Sequence, residues 1–266
     1  MPKEARCSLK SVVKEALAHP LTAGLNIDDP RTSVLRRQII QEKKFLRRIY
    51  QEWYQLLLAS MPSGSGPILE IGSGAGFLSE FFPELITSDV LYLRGITLVL
   101  DGHCLPFADK TLRAIVMIDV LHHMPRVRDF LLSAARSVRV GGVIAMIEPW
   151  VSPWSKFVYR NLHDEPFEPD AGQWEFKTNG PLSGANTALP WILFERDRKR
   201  FESEFPQWQI HTLKPMMPFC YLVSGGVSLR SLMPDYTFRF WRAIEKMLSK
   251  IHALSLFALI VLKRSR

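Results

Sequence analysis

The sequence predicts an α/β fold built on a parallel sheet, and three observations carry the prediction. Five short apolar runs each have an acidic residue at their end. The first of them opens into a glycine-rich loop. The segment before the fifth has the three- to four-residue periodicity of a helix. The 266 residues are 47% hydrophobic and 23% charged, with 15 Gly and 18 Pro. That balance excludes a disordered or fibrous chain and suits one large domain or a domain with an elaborate insert.

Residues 1–62 read as an N-terminal helical segment that packs on the core. Within it Leu35, Ile39, Leu46, Ile49, Tyr50, Trp53 and Leu57 recur at helical spacing, and Arg36, Arg37, Lys43, Lys44, Arg47 and Arg48 fill the places between. This predicts an amphipathic helix over 34–58 with a solvated basic face, placed so that it can also close over a ligand. Asp28, Asp29 and Pro30 start it, and the Pro-, Gly- and Ser-rich stretch 61–66 ends it as a linker.

The core, 63–150, holds the apolar runs 68–71, 85–88, 96–100, 114–118 and 143–147. Glu70, Asp89, Asp101, Asp119 and Glu148 stand at their ends. Short Leu-rich or β-branched runs of this kind are strands buried on both faces. Residues 127–140 read as a helix closed by Gly141 and Gly142. The alternation is that of a parallel sheet with crossover helices. In such sheets the ligand crevice lies outside the carboxyl ends of the strands, so the five carboxylates would rim one crevice.

Residues 151–240 read as an irregular, aromatic-rich insert that caps the substrate side. The stretch 150–240 holds 17 of the 29 aromatic residues and 9 of the 18 prolines. Residues 241–266 complete the sheet with a final helix and a strand near 254–262.

The net charge of +8 raises nucleic acid or an anionic membrane as partners. Its distribution argues otherwise: +5 over residues 1–60, −3 over 61–238 and +6 over 239–266. The basic excess is peripheral, with at most a weak attraction to a membrane surface. The basic residues lack the interleaved stacking aromatics of an RNA-binding module, so a nucleic-acid partner is not expected. Cys7, Cys104 and Cys220 form no CxxC pair, which points away from a zinc framework or disulfides and toward a reducing compartment. Residues 1–11 lack the apolar core of a signal peptide, and the longest apolar stretch, 253–262, is about half the ~20 residues a membrane span needs. A cytoplasmic location is expected.

The chemistry centres on Glu70-Ile71-Gly72-Ser73-Gly74-Ala75-Gly76. Glycines at a strand end allow a tight turn and let backbone N–H groups approach a ligand. The spacing is GxGxG, with Phe77 where the third glycine of a dinucleotide fingerprint would fall. Glu70 could meet a cationic amino group. Asp89 could accept both hydroxyls of a ribose, and Asp101 an adenine amino group, with the amides of Gly102 or His103 against the ring. Each acid taken singly is also what an ordinary turn contains.

As an ordered set these stretches resemble the class I S-adenosylmethionine-dependent methyltransferases, in the broad type 11 group that includes quinone-biosynthesis methyltransferases. The matching elements are LEIGSGAG (69–76), SDV (88–90), DGHCLPFAD (101–109), IVMIDVLHHMP (115–125) and RSVRVGGVIAMIEPW (136–150). The resemblance implies a Rossmann-like seven-stranded sheet in the order 3-2-1-4-5-7-6, its last strand antiparallel and helices on both faces. It implies S-adenosyl-L-methionine as cofactor. Glu70 and the loop with Gly72, Ser73, Gly74 and Gly76 would hold the methionine part, Asp89 the ribose, and Asp101, Gly102 and His103 the adenine. Asp119 and His122 would flank the cofactor near the reacting methyl. One departure stands at 111–113, Thr-Leu-Arg, where the family often has an acid at the sheet periphery.

Candidates for acting on the acceptor are His122, His123, Glu148 and His163. Asp119, His122 and Glu148 are a conceivable metal set, but His163-Asp164-Glu165 is not the HExxH zinc spacing, and no metal site is expected. The glycine turns, aromatics and methionines of the insert suit an apolar acceptor. The expected function is methyl transfer to a small-molecule or lipid-like acceptor. The alternatives are an RNA methyltransferase, which lacks here the usual Pro-Pro tetrapeptide after the fourth strand, and a non-catalytic binder of the cofactor.

Overall fold

The computed structural model describes residues 18–21, 25–163 and 165–266; Cys7, residues 1–11 and Asp164 lie outside them. Seven strands make one sheet: β1 (Ile68–Ile71), β2 (Leu85–Asp89), β3 (Leu98–Val99), β4 (Leu112–Ile118), β5 (Val138–Pro149), β6 (Trp208–Met216) and β7 (Phe257–Arg264). Their order is β3-β2-β1-β4-β5-β7-β6. The pairs from β3 to β5 are parallel, and β7 runs antiparallel between β5 and β6. This is the Rossmann-like order that the motif set implied.

Side chains alternate across the sheet. Leu69, Ile71, Ile115, Met117, Ile144 and Met146 face α3 (Val127–Ser137) and the aromatic stretch around Phe194, Phe201 and Phe205. Ile68, Ala114, Val116, Val143, Ala145 and Ile147 face α2 (Lys44–Ser60), whose Phe45, Leu46, Ile49, Trp53 and Leu57 are buried. Helices therefore cover both faces. The links from β1 to β2 and from β2 to β3 contain only a 3₁₀ turn, Leu78–Glu80, and no α-helix. The N-terminal α2 supplies the cover on that side.

Three elements differ from the sequence reading. The helix expected over 34–58 is two helices, α1 (Pro30–Glu42) and α2, broken at Lys43. The Lys43 ammonium donates to the carbonyls of Ser224 (3.2 Å), Gly226 (2.8 Å) and Leu229, and burial pushes its pKa down to about 8. The break is set by a partner about 180 residues away, which local periodicity does not encode. The helix expected to residue 140 stops at Ser137, and β5 runs on through Gly141 and Gly142. The pairing with β4 slips there, and a Cβ on Gly142 would lie 2.6 Å from Val138 and 2.7 Å from the Arg113 carbonyl. The glycine thus serves a bulge rather than a helix end.

The region 151–240 is not one insert, because it contributes the edge strand β6. Pro215 lies in that strand, which an edge position tolerates. Around it lie α4 (Pro153–Leu162), α5 (Arg198–Glu204) and α6 (Phe238–Leu248), which leads to β7. Arg113, at the departure from the family pattern, donates to the Pro62 (3.4 Å) and Gly64 carbonyls and so ties the linker to the sheet. Among the described residues, no helix is long and apolar enough to cross a membrane.

Candidate active site

The glycine loop after β1 is held from below. Ser73 Oγ donates to Glu70 Oε2 (2.6 Å) and accepts from the Ser88 amide (3.1 Å). Ser88 Oγ donates to the Glu70 carbonyl (2.6 Å). Tyr54 of α2 accepts the Phe77 amide (2.9 Å). Burial raises the Glu70 carboxyl to about 7, against the opposing bond from Ser73. Gly72 has φ +73°, and a Cβ there would lie 2.4 Å from Val120. The β1 and β4 loops therefore interlock only through a glycine.

Asp89 ends β2 as a doubly held carboxylate. Its Oδ2 accepts the Gly74 amide (3.0 Å) and its Oδ1 the Leu91 amide (2.9 Å). Asp101 accepts the His103 amide (3.0 Å) and the His103 ring at Nδ1. His103 Nε2 accepts the Arg126 amide (3.3 Å), so the proton of the neutral ring sits on Nδ1, toward Asp101.

At the end of β4 the chain turns through Asp119, a non-glycine residue with φ +62°. That left-handed turn brings the Val120 and Leu121 amides to Glu148 Oε1 (2.9 and 2.8 Å) and His122 Nδ1 to Glu148 Oε2 (2.8 Å). His122 Nε2 reaches Glu165 Oε2 at 3.2 Å and Asp119 Oδ1 at 4.0 Å. Burial opposes a charge on His122, but bonds to Glu148 and Glu165 and the Asp119 charge outweigh it and lift its pKa well above the usual value. His123 donates from Nδ1 to the Gly184 carbonyl (3.1 Å). Burial and the neighbouring His122 push His123 down to about 4, so it is neutral. Burial would raise Glu165, yet the histidines around it hold it below the ordinary carboxylate range.

One cavity of about 520 Å³ joins these elements, within the range of small-molecule sites. Gly72, Gly74, Asp89, Asp101, Gly102, His103, Asp119 and His123 line it. Glu70, Ser73 and Gly76 lie beneath the loop and do not. His122 and Glu148 are fully buried behind the rim. His163 caps α4 away from the cavity; its Nδ1 accepts the Glu165 amide at 3.3 Å. The roof comes from Ile27, Ser33 and Arg36, Tyr50 of α2, residues 178–182 and Val227. Asp28 Oδ1 accepts the Leu182 amide (2.7 Å) and joins the two sides of the roof. Ser33 and Arg36 are three residues apart on one face of α1, a spacing that marks them as neighbours but not as lining a site. Glu165 gives no periodic signal; only the fold brings it to His122.

Residues 69–146 match the model of a methyltransferase domain. These residues form a methyltransferase domain of the S-adenosylmethionine-dependent class. No curated protein matches this methyltransferase by sequence. Among solved structures it is similar to the geranyl diphosphate C-methyltransferase of Streptomyces coelicolor A3(2), determined with Mg²⁺, geranyl diphosphate and S-adenosyl-L-homocysteine. Identity is 13%, covering 86% of this chain and 83% of that one, with a TM-score of 0.48. It is also similar to a putative methyltransferase in complex with the Haloferax volcanii activator Trm112, at 12% identity, 87% and 98% coverage and TM-score 0.48. A putative methyltransferase of Bacillus halodurans C-125 gives 14%, 79% and 97%, and 0.45.

The methyltransferase's own residues fit a cationic adenosyl cofactor. A Cβ on Gly74 would lie 2.7 Å from Asp89 Oδ2 and 2.9 Å from Leu93, so only glycine leaves the loop backbone against that carboxylate. Three carboxylates, Asp89, Asp101 and Asp119, face the same cavity. Bound there, S-adenosylmethionine supplies a methyl group already activated on a sulfonium.

The Asp119 side chain keeps 40% of its surface open to the cavity. Burial under the roof, with Glu165 and Glu148 near and His122 opposing, raises it to about 7. A raised acid in the folded state binds a proton that the unfolded chain has lost, so apo stability falls as pH rises from about 4 to 7. A cationic ligand favours the ionised form. Cofactor affinity should therefore strengthen as pH rises through about 7, by up to about tenfold per pH unit for each carboxyl that must ionise. Calorimetry at pH 5.5, 6.5 and 8 checks this; equal affinity at all three would detach Asp119 and Glu70 from cofactor binding.

Proposed function

We propose that this methyltransferase modifies a small or lipid-like acceptor enclosed between the sheet crevice and the roof. The observation that carries the reading is the single cavity shared by the carboxylate rim and the roof residues. An acceptor there meets Tyr50, Val227, Pro181 and Leu182 as apolar walls. Asp89, Asp101, Gly72 and Gly74 hold the cofactor, and neutral His123 faces the acceptor as a proton acceptor if the methylated group is a hydroxyl. Methyl transfer needs chiefly alignment, worth up to ~7–11 kcal/mol, and a base adds roughly 10²–10⁴-fold. His122 and Glu148 position the rim from behind rather than touch the acceptor.

The test is methyl uptake from labelled S-adenosylmethionine with total lipid extract, small-molecule extract and tRNA as separate acceptors. Label in an organic-soluble or small-molecule product is expected. Label in tRNA alone would overturn the reading. Asp28→Ala should loosen the roof and raise the acceptor KM by about tenfold or more, with kcat changed less, since one charge-assisted bond worth roughly 1.5–3 kcal/mol is lost. An unchanged KM would show that the roof does not need that tie.

A weak membrane-surface contact belongs to the same reading. Tyr236, Phe240, Met247 and Ile251 fall at helical spacing on and beside α6 and are 86%, 62%, 73% and 49% exposed. Arg239, Lys246 and Lys250 flank them, also exposed. An apolar stripe edged by basic residues suits an anionic lipid interface. Sedimentation with anionic vesicles at low salt tests it, and protein left in the supernatant removes it.

A further inference from the structure

We propose that His122, His123 and Glu165 form a binding site for a divalent first-row transition metal such as Zn²⁺, at the edge of the cavity. The set was not legible as a metal motif, because the histidines are adjacent in sequence and Glu165 comes from the region after α4. In the fold, the ligating atoms of all three lie within 4.8 Å of one another.

The hydrogen bonds orient both rings toward the third residue. Glu148 is a carboxylate acceptor, so His122 Nδ1 carries the proton of that 2.8 Å bond. Gly184 offers a carbonyl, so His123 Nδ1 carries the proton of its 3.1 Å bond. Each ring then presents Nε2 to Glu165, His122 at 3.2 Å from Oε2 and His123 at 3.6 Å from Oε1. Metal-binding histidines characteristically donate their other N–H to a carboxylate or a backbone carbonyl; here one histidine has each.

The spacing also fits. Zinc–nitrogen and zinc–oxygen bonds of about 2.0–2.1 Å at a tetrahedral angle separate neighbouring ligands by roughly 3.3 Å. Without a cation, the His123 Nε2 lone pair faces a carboxylate oxygen. A metal between the three groups resolves that contact.

Imidazole ligands favour zinc, iron, copper or nickel over magnesium or calcium. Two histidines and one carboxylate leave coordination positions open. His123 lines the cavity, so those positions adjoin the acceptor space, where a hydroxyl, phenol or carboxylate oxygen can coordinate; with the metal bound, coordination lowers the pKa of a hydroxyl acceptor in place of proton acceptance by His123 Nε2. Asp119 Oδ1, 4.0 Å from His122 Nε2, stands beside them. Glu148 is not a ligand, since its Oε1 holds two backbone amides and its Oε2 holds His122. The role toward an acceptor rests on the methyltransferase reading; the metal site itself does not.

The full chain, stripped with chelator, is titrated with Zn²⁺ by calorimetry and with Co²⁺ followed by its visible absorption. One equivalent of Zn²⁺ should bind at micromolar affinity or tighter, and Co²⁺ should show the intense bands of a four- or five-coordinate nitrogen–oxygen site. Glu165→Gln and His123→Ala should each weaken Zn²⁺ by at least about tenfold. No stoichiometric Zn²⁺ binding by the wild-type chain, a purely octahedral Co²⁺ spectrum, or unchanged affinity in both variants would overturn the site. The wild-type spectrum stands even if a variant fails to fold. S-adenosylmethionine binding by the chelated protein keeps the two readings apart: its absence alongside intact Zn²⁺ binding would remove the cofactor reading and leave the metal site standing.

Discussion

Glu148→Ala should lower the melting temperature by roughly 10 °C or more. Glu148 is fully buried and ends β5, and its two oxygens accept the Val120 and Leu121 amides and the His122 ring. Alanine leaves two backbone donors and the His122 Nδ1–H without a partner in the dry rim, with Glu165 remaining only at Nε2. Removing one member of a buried ion pair costs about 3–5 kcal/mol, and each kcal/mol moves the midpoint of a domain near this size by about 2–4 °C. Glu148→Gln keeps a carbonyl for the two amides and should lose much less. It takes the negative charge from His122, however, so the imidazole should titrate lower. The raised folded pKa of His122 gives stability that is full below about 6.5 and fades as pH rises through the folded value. That fading should shift to lower pH in Glu148→Gln, where Glu165 and Asp119 still favour the charged ring. Thermal melts across pH and NMR titration of His122 check both parts; an alanine variant melting within about 2 °C of wild type would show that the rim does not depend on this carboxylate.

The sheet was legible because its strands announce themselves locally. Runs such as 114–118 and 143–147 are buried on both faces, and each stops where the chain must turn at a crevice acid. The motif set then supplied the strand order that composition could not. What stayed hidden depends on distant partners. Lys43 breaks a helix because carbonyls at 224–229 surround its ammonium. Trp208–Met216 becomes a strand because β7 offers it an edge, although its own alternation is weak. In the site, the rim acids were readable from their places after strands, but which of them face the cavity was not. Glu70 and Asp89 look alike in sequence; one lies under the glycine loop and the other opens into the cavity. Likewise His122 and His123 are adjacent, yet one is wholly buried between two carboxylates and the other reaches the acceptor space.

Asp89→Ala should raise the dissociation constant for S-adenosylmethionine by a hundredfold or more. The carboxylate is 6% exposed, and what remains open faces the cavity. Its two oxygens each accept one backbone amide, from Gly74 and Leu91, and those bonds fix the direction of the lone pairs left for a ribose. Hydrogen bonds to a charged acceptor are worth ~1.5–3 kcal/mol each, so losing two is worth about 3–6 kcal/mol, or roughly 10²–10⁴ in affinity at 1.4 kcal/mol per decade. Asn at 89 keeps one acceptor oxygen but must turn its NH2 against either the Gly74 or the Leu91 N–H, and should lose about tenfold to a hundredfold. Gly74→Ala tests the same geometry without touching the charge. Its Cβ would fall 2.7 Å from Asp89 Oδ2 and 2.9 Å from Leu93, so the carboxylate must swing away. If ribose recognition rests on that carboxylate's direction, Gly74→Ala should weaken the cofactor nearly as much as Asp89→Ala while the apo melting temperature falls by only a few degrees. Calorimetry and melts on both variants decide it: full affinity in Asp89→Ala would assign the ribose to another group on the rim.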